Sequence, residues 1–219
     1  MTEPNIELLN MDCLLYMKQC EDKQFDLAIV DPPYGINMDG DINIRKPDRK
    51  STWNKKDKYT RKDWDKETPS NEYWTELFRI SKNQIVWGGN YFTDNLPISK
   101  CWVFWDKMFD KTFNFSHGEL AWTSFDKQLL KYTISSKAET RGGKDRIHPT
   151  QKPKKLYEWL LTKFANEGDK IIDTHLGSGS IALACWNMKY DLVGIEVDEE
   201  YYTKASKRLE QHKKQLTLF

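Results

Sequence analysis

Short apolar runs recur along the chain, and most of them stop at an acidic residue or a glycine. They lie at residues 25–30, 84–87, 102–105, 119–122, 171–172 and 192–197. Continuous apolar runs of this kind are typical of buried strands in a parallel sheet that is covered on both faces. Because ligands bind beyond the carboxyl ends of such strands, the polar residues there predict where the chemistry lies.

Helical patterns separate these runs. They cover residues 12–20, 72–80, 153–165, 181–188 and 201–209. The third begins at Pro153 and places Leu156, Trp159, Leu160 and Phe164 on one face, which is the spacing of an amphipathic helix. The alternation of strand and helix signals predicts an α/β protein.

Two long polar segments, residues 39–70 and 135–146, interrupt this pattern and are expected to be functional or disordered loops. Residues 45–66 hold ten Lys or Arg residues against four Asp, with Trp53, Tyr59 and Trp64 between them. A solvated loop would explain this composition, but a DNA-contacting arm is favoured, because basic residues neutralise phosphates, aromatic rings can stack, and the segment begins soon after the strand signal that ends at Asp31. The segment 135–146, with Arg141 and Arg146, is a second candidate DNA-contacting loop. The basic residues predicted to contact DNA are Arg45, Lys46, Lys55, Lys56, Arg61 and Lys62.

Composition narrows the class of protein. The 219 residues are expected to form a single domain, 1–219, and the net charge of +1 means that any nucleic-acid surface must be local. The chain shows no signal-peptide pattern or membrane-length apolar run, so we expect no membrane partner. The four cysteines form no metal-binding pair, which predicts reduced thiols, no metal and a cytoplasmic location.

A glycine-rich turn follows the strand signal at 171–172. Residues 171–180 read IIDTHLGSGS, and Glu196 stands nineteen residues after Gly177. Such a turn lets the backbone approach a ligand, and an acid at this distance can accept hydrogen bonds from ribose hydroxyls, although a bare glycine turn can also be structural. Only 23 residues follow Glu196, so the other strands must precede the turn. This permuted order counts against an NAD-dependent dehydrogenase.

The tetrapeptide Asp31-Pro32-Pro33-Tyr34 directly follows a strand signal. It could be only a proline-rich turn. However, two prolines remove amide donors and leave the Asp31 carboxylate and the Pro32 carbonyl as rigid acceptors. The amino group of a nucleobase offers two N–H donors, and Tyr34 could stack on a base that has swung out of the helix. The segment therefore indicates chemistry at an exocyclic amino group.

These two elements, together with His148-Pro149-Thr150-Gln151-Lys152-Pro153, resemble the β-group of amino-directed DNA methyltransferases over residues 6 to about 209. The resemblance implies a Rossmann-like S-adenosylmethionine-dependent methyltransferase fold with permuted motif order. It also implies S-adenosylmethionine as cofactor and double-stranded DNA as partner, in a bacterial or phage-encoded enzyme. Because members with Asp in the first position usually act on adenine, N6 of adenine is the expected target and N4 of cytosine the alternative. A homodimer and a cognate restriction endonuclease stay open.

The resemblance also assigns residues. The catalytic set is Asp31, Pro32, Pro33 and Tyr34. The cofactor set is Asp12, Cys13, Asp31, Thr150, Gln151, Lys152, Asp173, His175, Gly177, Ser178, Gly179, Glu196 and Val197. Asp12 could instead be a helix N-cap and Lys152 a solvated lysine. Thr174 and His175 replace the family's usual proline and phenylalanine, and we expect His175 to make a polar contact within the loop.

Three other classes of protein fit the sequence less well. RNA and protein amino methyltransferases carry a similar tetrapeptide, but their glycine loop is expected before it rather than after it. A catalytically silent nucleic-acid-binding module would need neither Asp31 nor Glu196. Methylation at C5 of cytosine needs a cysteine nucleophile, classically after a proline, and no cysteine in this chain follows a proline.

Overall fold

The computed structural model describes residues 3–36, 65–108, 116–139 and 146–216. Its strands are β1 (Ile6–Asn10), β2 (Phe25–Val30), β3 (Ser81–Trp87), β4 (Trp102–Asp106), β5 (Gly118–Thr123), β6 (Leu130–Thr133), β7 (Lys170–Asp173) and β8 (Asp191–Glu196). Its α-helices are α1 (Cys13–Met17), α2 (Asn71–Ile80), α3 (Lys154–Phe164), α4 (Ser180–Met188) and α5 (Glu199–Leu216). The strands form one sheet in the order β1-β8-β7-β2-β3-β5-β4-β6.

The alternation of strands and helices confirms the predicted α/β class, and every predicted strand and helix is present. Two strands, β1 and β6, were not predicted. Both lie at an edge of the sheet, and their residues alternate between more and less buried positions. An edge strand therefore lacks the continuous apolar run by which the central strands are recognised.

The prediction of an all-parallel sheet is wrong at one strand. β5 runs antiparallel to both of its neighbours, β3 and β4, whereas the other described pairs are parallel. The connection from β4 to β5 spans only residues 107–117. That is too short for a crossover helix that would return the chain to the same edge, so β5 runs back beside β4 as a hairpin.

Apolar residues pack on both faces of the sheet. In β2, Leu27 and Ile29 face one core, which also contains residues of α3, α4 and α5. Ala28 and Val30 face the other, which contains residues of α1 and α2. This alternation follows from the two-residue period of a strand and gives three layers, helix–sheet–helix. Among the described residues, no helix is both long enough and apolar enough to cross a membrane.

The order of the strands creates a switch point between β7 and β2, which are parallel neighbours with Leu27 paired to Ile171. From β2 the chain passes through α2 to β3 on one side, and from β7 it passes through α4 to β8 on the other. Crevices for ligands open at such points beyond the carboxyl ends of the strands. Asp31 follows β2 and Asp173 ends β7, so the two acids stand at this crevice.

Candidate active site

The loop after β2 is held by a second acid from a distant part of the chain. The Tyr34 hydroxyl donates to Asp31 Oδ1 over 2.6 Å. The backbone amides of Tyr34 and Gly35 both donate to Asp65 Oδ1, over 2.7 and 3.0 Å. Asp65 is buried, and no sequence motif marked it, because it lies at the end of the polar segment 39–70. The loop therefore has its conformation fixed before any ligand binds.

The aromatic ring of Tyr34 is packed between neighbours. It stacks on Tyr91 with a centroid distance of 4.9 Å and an interplanar angle of 14°, and Phe92 meets it edge-on. A Cβ at Gly88 would lie 2.2 Å from the ring, and Gly88 has a φ of +67°, so both space and backbone conformation require glycine there. The turn after β3 thus forms a wall for Tyr34.

Lys152 is buried, so the alternative of a solvated lysine is wrong. Its Nζ lies 2.5 Å from Asp31 Oδ2 and 3.0 Å from Glu119 Oε2. Burial lowers the pKa of Lys152, but the charges of Asp31 and Glu119 raise it by more, so the pKa lies above its ordinary value. Asp31 therefore has one carboxylate oxygen beside an ammonium group and the other beside the hydroxyl of Tyr34.

The glycine loop between β7 and α4 is closed by Glu196 at the end of β8. Glu196 Oε2 accepts from the Gly177 amide over 2.7 Å, and its Oε1 accepts from the Asp198 amide over 2.9 Å. Gly177 and Gly179 have φ values of +52° and +67°, in the left-handed region that favours glycine. The acid and the loop that the sequence placed nineteen residues apart are thus joined directly.

Asp173 is the most deeply buried acid of the site, with 1% of its surface exposed. Its Oδ1 accepts from the His175 amide over 3.0 Å. Burial, opposed by this hydrogen bond and assisted by the charges of Asp31 and Glu196, raises the pKa of Asp173 to about 8. A cation placed beside this carboxyl would stabilise its ionised form.

His175 makes the polar contact that was expected within the loop. Its Nδ1 lies 2.9 Å from Thr174 Oγ1, which is also 2.8 Å from the Tyr73 hydroxyl. The rings of Tyr73 and His175 meet edge to face. Burial lowers the pKa of His175 to about 4, so the imidazole is neutral near pH 7. Thr174 and His175 therefore join the loop to α2 by hydrogen bonding and ring contact.

The helix α5 anchors the same loop through Arg208, which sequence reasoning missed. Its guanidinium donates to the Ser178 carbonyl over 2.9 Å and to Ser180 Oγ over 3.0 Å. Burial lowers the pKa of Arg208. A Cβ at Gly179 would stand 3.0 Å from that of Ala205, so α5 packs closely against the loop.

The segment 148–153 lies beside the glycine loop. A Cβ at Gly177 would stand 3.7 Å from the ring of His148, which also meets Tyr201 of α5 at 4.4 Å between centroids. Thr150 Oγ1 lies 3.0 Å from His148 Nδ1, and Gln151 Oε1 accepts from the Ile147 amide over 3.0 Å. The segment thus spans from the loop to Lys152 and Asp31.

The remaining predicted cofactor residues lie at the ends of β1 and β8. Asp12 is the N-cap of α1, with Oδ1 accepting from the Leu15 amide over 2.9 Å, so its structural alternative is present. Burial raises the pKa of the neighbouring Cys13 to about 12. Val197 is 67% exposed, and Asn10 Nδ2 donates to its carbonyl and to that of Glu196.

All six basic residues predicted to contact DNA lie outside the described residues, as does most of the segment 39–70. Of the second polar segment, residues 135–139 and 146 are described. Its two ends are tied together because Arg146 donates to the Ser136 carbonyl over 2.8 Å. Both segments keep their DNA-contacting role as a prediction.

The fold and the crevice define a Rossmann-like α/β protein with an acidic site at the switch point of its sheet. A family model described as DNA methylase, of the N6/N4 type, matches residues 86–207. That range is more than half of the chain, and the chain belongs to this family of amino-directed DNA methyltransferases.

Comparison with individual proteins supports this family membership. The chain is 27% identical to the Type II methyltransferase M2.DpnII of Streptococcus pneumoniae, covering 93% of this chain and 89% of that protein. Two solved structures share its fold. One, the M1.HpyAVI–SAM complex, is 19% identical with a TM-score of 0.61, over 93% of this chain and 100% of that one. The other, the cytosine-N4-specific PvuII DNA methyltransferase, is 13% identical with a TM-score of 0.61, over 97% and 92%.

Proposed function

We propose that this protein transfers a methyl group from S-adenosylmethionine to N6 of an adenine in double-stranded DNA. One observation carries the proposal: Asp31 and Asp173 leave neighbouring strands at the switch point of the sheet. An acceptor for a base amino group therefore stands beside a loop suited to a nucleoside cofactor. Membership of the DNA methylase family supplies the class of reaction.

The residues of the glycine loop fit a cationic cofactor that carries a ribose. Asp173 is a buried carboxyl whose pKa is raised by its surroundings, and a cation beside it would relieve that cost. Glu196, whose oxygens accept from the Gly177 and Asp198 amides, is a carboxylate at the end of β8, and a carboxylate oxygen can accept hydrogen bonds from ribose hydroxyls as well. When bound, S-adenosylmethionine supplies an electrophilic methyl group on its sulfonium. The M1.HpyAVI structure, which shares this fold, contains that compound.

The other cofactor contacts follow from the family resemblance. Thr150 and Gln151 would contact the methionine end, with Lys152 nearby, and Asp12 and Cys13 would contact the adenine ring. His175 and Val197 would lie beside the cofactor. These roles are compatible with the positions of the side chains at the glycine loop and at the ends of β1 and β8. Asp12 would then keep its N-cap hydrogen bond to Leu15 while its second oxygen faces the ligand.

Asp31 and the Pro32 carbonyl would accept the two N–H groups of the target base. Positive charge develops on the amino nitrogen as it attacks the methyl group, and a fixed carboxylate stabilises that charge without reorganising. Tyr34 holds Asp31 Oδ1 while its ring offers a stacking surface. Tyr91, about half exposed, already stacks on that ring and would have to share or yield its place to an extrahelical base.

The choice of adenine over cytosine rests on Asp in the first position of the tetrapeptide, because family members with Asp there usually act on adenine. The chemistry at Asp31 and Pro32 would serve either amino group. DNA incubated with the protein and cofactor would be digested to nucleosides and analysed by mass spectrometry. We expect N6-methyladenine, whereas N4-methylcytosine without methyladenine would overturn the adenine assignment and leave the class of enzyme intact.

The same assay tests Asp31. The variant Asp31→Ala should lose about 10²–10³ in rate, since it removes one preorganised contact to the transition state. Its matched control is Asp126→Ala, which removes an exposed carboxylate that pairs with the exposed Lys100. The control should keep its rate. Activity of Asp31→Ala within a few-fold of the unsubstituted protein would contradict the catalytic role.

A further inference from the structure

Four charged side chains form a continuous row that ends at Asp31. Lys107 contacts Glu119, Glu119 contacts Lys152, and Lys152 contacts Asp31. The four come from separate parts of the chain: the end of β4, the strand β5, the segment 148–153 and the loop after β2. The proposed reaction uses Asp31 and assigns nothing to Lys107 or Glu119, and neither of them belongs to a recognised motif.

The row is expensive to bury. Lys152 has only 3% of its surface exposed, and the side chains of Lys107 and Glu119 are 14% and 21% exposed. The Nζ of Lys152 also stands 5.1 Å from the centre of the Trp87 ring, in the apolar core. Buried ion pairs often contribute less to stability than apolar side chains of the same volume. Stability alone is therefore a weak reason for this arrangement.

The geometry gives Glu119 a task at the reacting acid. Lys152 by itself would offset the negative charge of Asp31, which is the charge that stabilises the developing cation on the base. Glu119 balances the ammonium of Lys152 from the other side, and Lys107 balances Glu119, so signs alternate along the row. The ammonium is also held at Asp31 Oδ2 while Tyr34 holds Oδ1. The carboxylate is then fixed in orientation, and the positive charge of Lys152 beside it is balanced by Glu119.

We infer that Glu119, anchored by Lys107, is a positioning residue that holds Lys152 against Asp31 and so sets the orientation and the charge of the acceptor for the target amino group. This inference rests on the proposed function. The ionised states agree with it: burial raises the pKa of Glu119, but the charges of Lys152 and Lys107 outweigh burial and lower it to about 2.

The first test is Glu119→Gln, which keeps the shape of the side chain and removes its charge. We expect kcat to fall about 10- to 100-fold, the size of effect typical of a group that acts through a functional residue. KM for DNA and the affinity for S-adenosylmethionine should stay within about threefold, because the proposal has Glu119 act through Lys152 rather than on either ligand. Glu119→Asp should recover part of kcat. The matched control is Glu76→Gln, which neutralises a half-buried, ion-paired glutamate in α2.

The pH profile separates positioning from mere structural support. The charge of Glu119 raises the pKa of Lys152, so in Glu119→Gln the ammonium loses its proton at a lower pH. Because neutral Lys152 would no longer hold Asp31, the fall of kcat at alkaline pH should begin at a lower pH than in the unsubstituted protein. A purely structural role would lower activity equally at every pH. If Asp31→Ala is inactive but Glu119→Gln keeps the kcat and the pH profile of the unsubstituted protein, the inference is overturned and the proposed function stands. Absence of methyl transfer by the unsubstituted protein would defeat the proposed function itself.

A second variant guards against misfolding. If Glu119→Gln does not fold, Lys107→Gln is the alternative. It removes the ammonium that anchors Glu119, and the side chain of Lys107 is partly exposed to solvent. We expect kcat to fall several-fold with the same split between kcat and KM. A kcat for Lys107→Gln within twofold of the unsubstituted protein would overturn the role of the anchor and the inference with it.

Discussion

At the scale of single residues, the site is built from carboxyl groups whose surroundings differ. Glu119 lies between two ammonium groups, which lower its pKa, whereas burial raises that of Asp173. Glu196 accepts from two backbone amides. The three acids are thus suited to different tasks. Glu119 stays ionised near pH 7, Asp173 would respond to a nearby cation, and Glu196 is held in place where it could accept hydrogen bonds from hydroxyl groups.

Asp173 should make stability depend on pH. The pKa of Asp173 in the folded protein is about 8, above its reference value of 3.8. The stability that depends on keeping this buried carboxyl protonated is therefore fully present below about pH 4 and is lost as pH rises through 8. Asp173→Asn can still accept from the His175 amide and should remove this loss. Relative to the unsubstituted protein, its free energy of unfolding should rise by at most about 1.4 kcal/mol per pH unit between pH 4 and 8. Urea unfolding at several pH values measures it, and a constant difference would contradict the prediction.

Glu196 should affect cofactor binding more than catalysis. In Glu196→Gln the side chain keeps its size but loses the charge that would receive two ribose hydroxyls. The affinity for S-adenosylmethionine, measured by calorimetry, should fall by about 1.5–3 kcal/mol, the usual value for a hydrogen bond to a charged group. The rate at saturating cofactor should change little. Unaltered affinity would remove Glu196 from the cofactor site.

At the scale of elements, the site depends on contacts between loops and the helices or strands behind them. Arg208 ties α5 to the glycine loop, Asp65 ties the end of a long segment to the loop after β2, and Glu119 projects from a hairpin. In each case a loop that carries function is fixed by a residue from another element. Such loops are precise because their supporting contacts are rigid.

Arg208→Met should show how much the anchor of the glycine loop contributes. It leaves the Ser178 carbonyl and Ser180 Oγ without a charged donor, so we expect a loss of about 2–4 kcal/mol in the free energy of unfolding and weaker cofactor binding. Lys204→Met, on the same helix, breaks a surface pair with Glu200 and should cost less than about 1 kcal/mol. Equal losses in the two variants would contradict the anchoring role.

At the scale of the whole molecule, the central strands, the five α-helices of the described residues and the permuted order of motifs could be predicted from the sequence, because each depends on a local pattern. Asp31, Gly177 and Glu196 could be selected for the same reason. Glu119 and Arg208 could not, since Lys152 lies 33 residues from Glu119 and Ser178 lies 30 residues from Arg208, and no local spacing marks either pair. The antiparallel β5 was missed because an apolar run carries no information on strand direction.

The salt dependence of DNA affinity tests whether the segment 39–70 contacts DNA. Lys55→Gln with Lys56→Gln should lower the slope of log affinity against log salt by up to about 1.8, and Arg61→Gln with Lys62→Gln by a similar amount. The control pair is Lys82→Gln with Lys170→Gln. Both lysines lie at the amino ends of their strands, β3 and β7, whereas the site lies beyond the carboxyl ends. An unchanged slope in both of the first two pairs would rule out the segment 39–70 as the DNA arm.

The strand order has a consequence for synthesis on the ribosome. β7 and β8 stand between β1 and β2 in the sheet, although they are made after all the other strands. A nascent chain that ends before residue 170 therefore has β1 without a neighbour and β2 as an open edge. An open edge is a template for pairing with other chains. The tetrapeptide after β2 is translated early, yet the sheet around it can close only when β7 and β8 emerge, so chains interrupted before them are expected to aggregate rather than act.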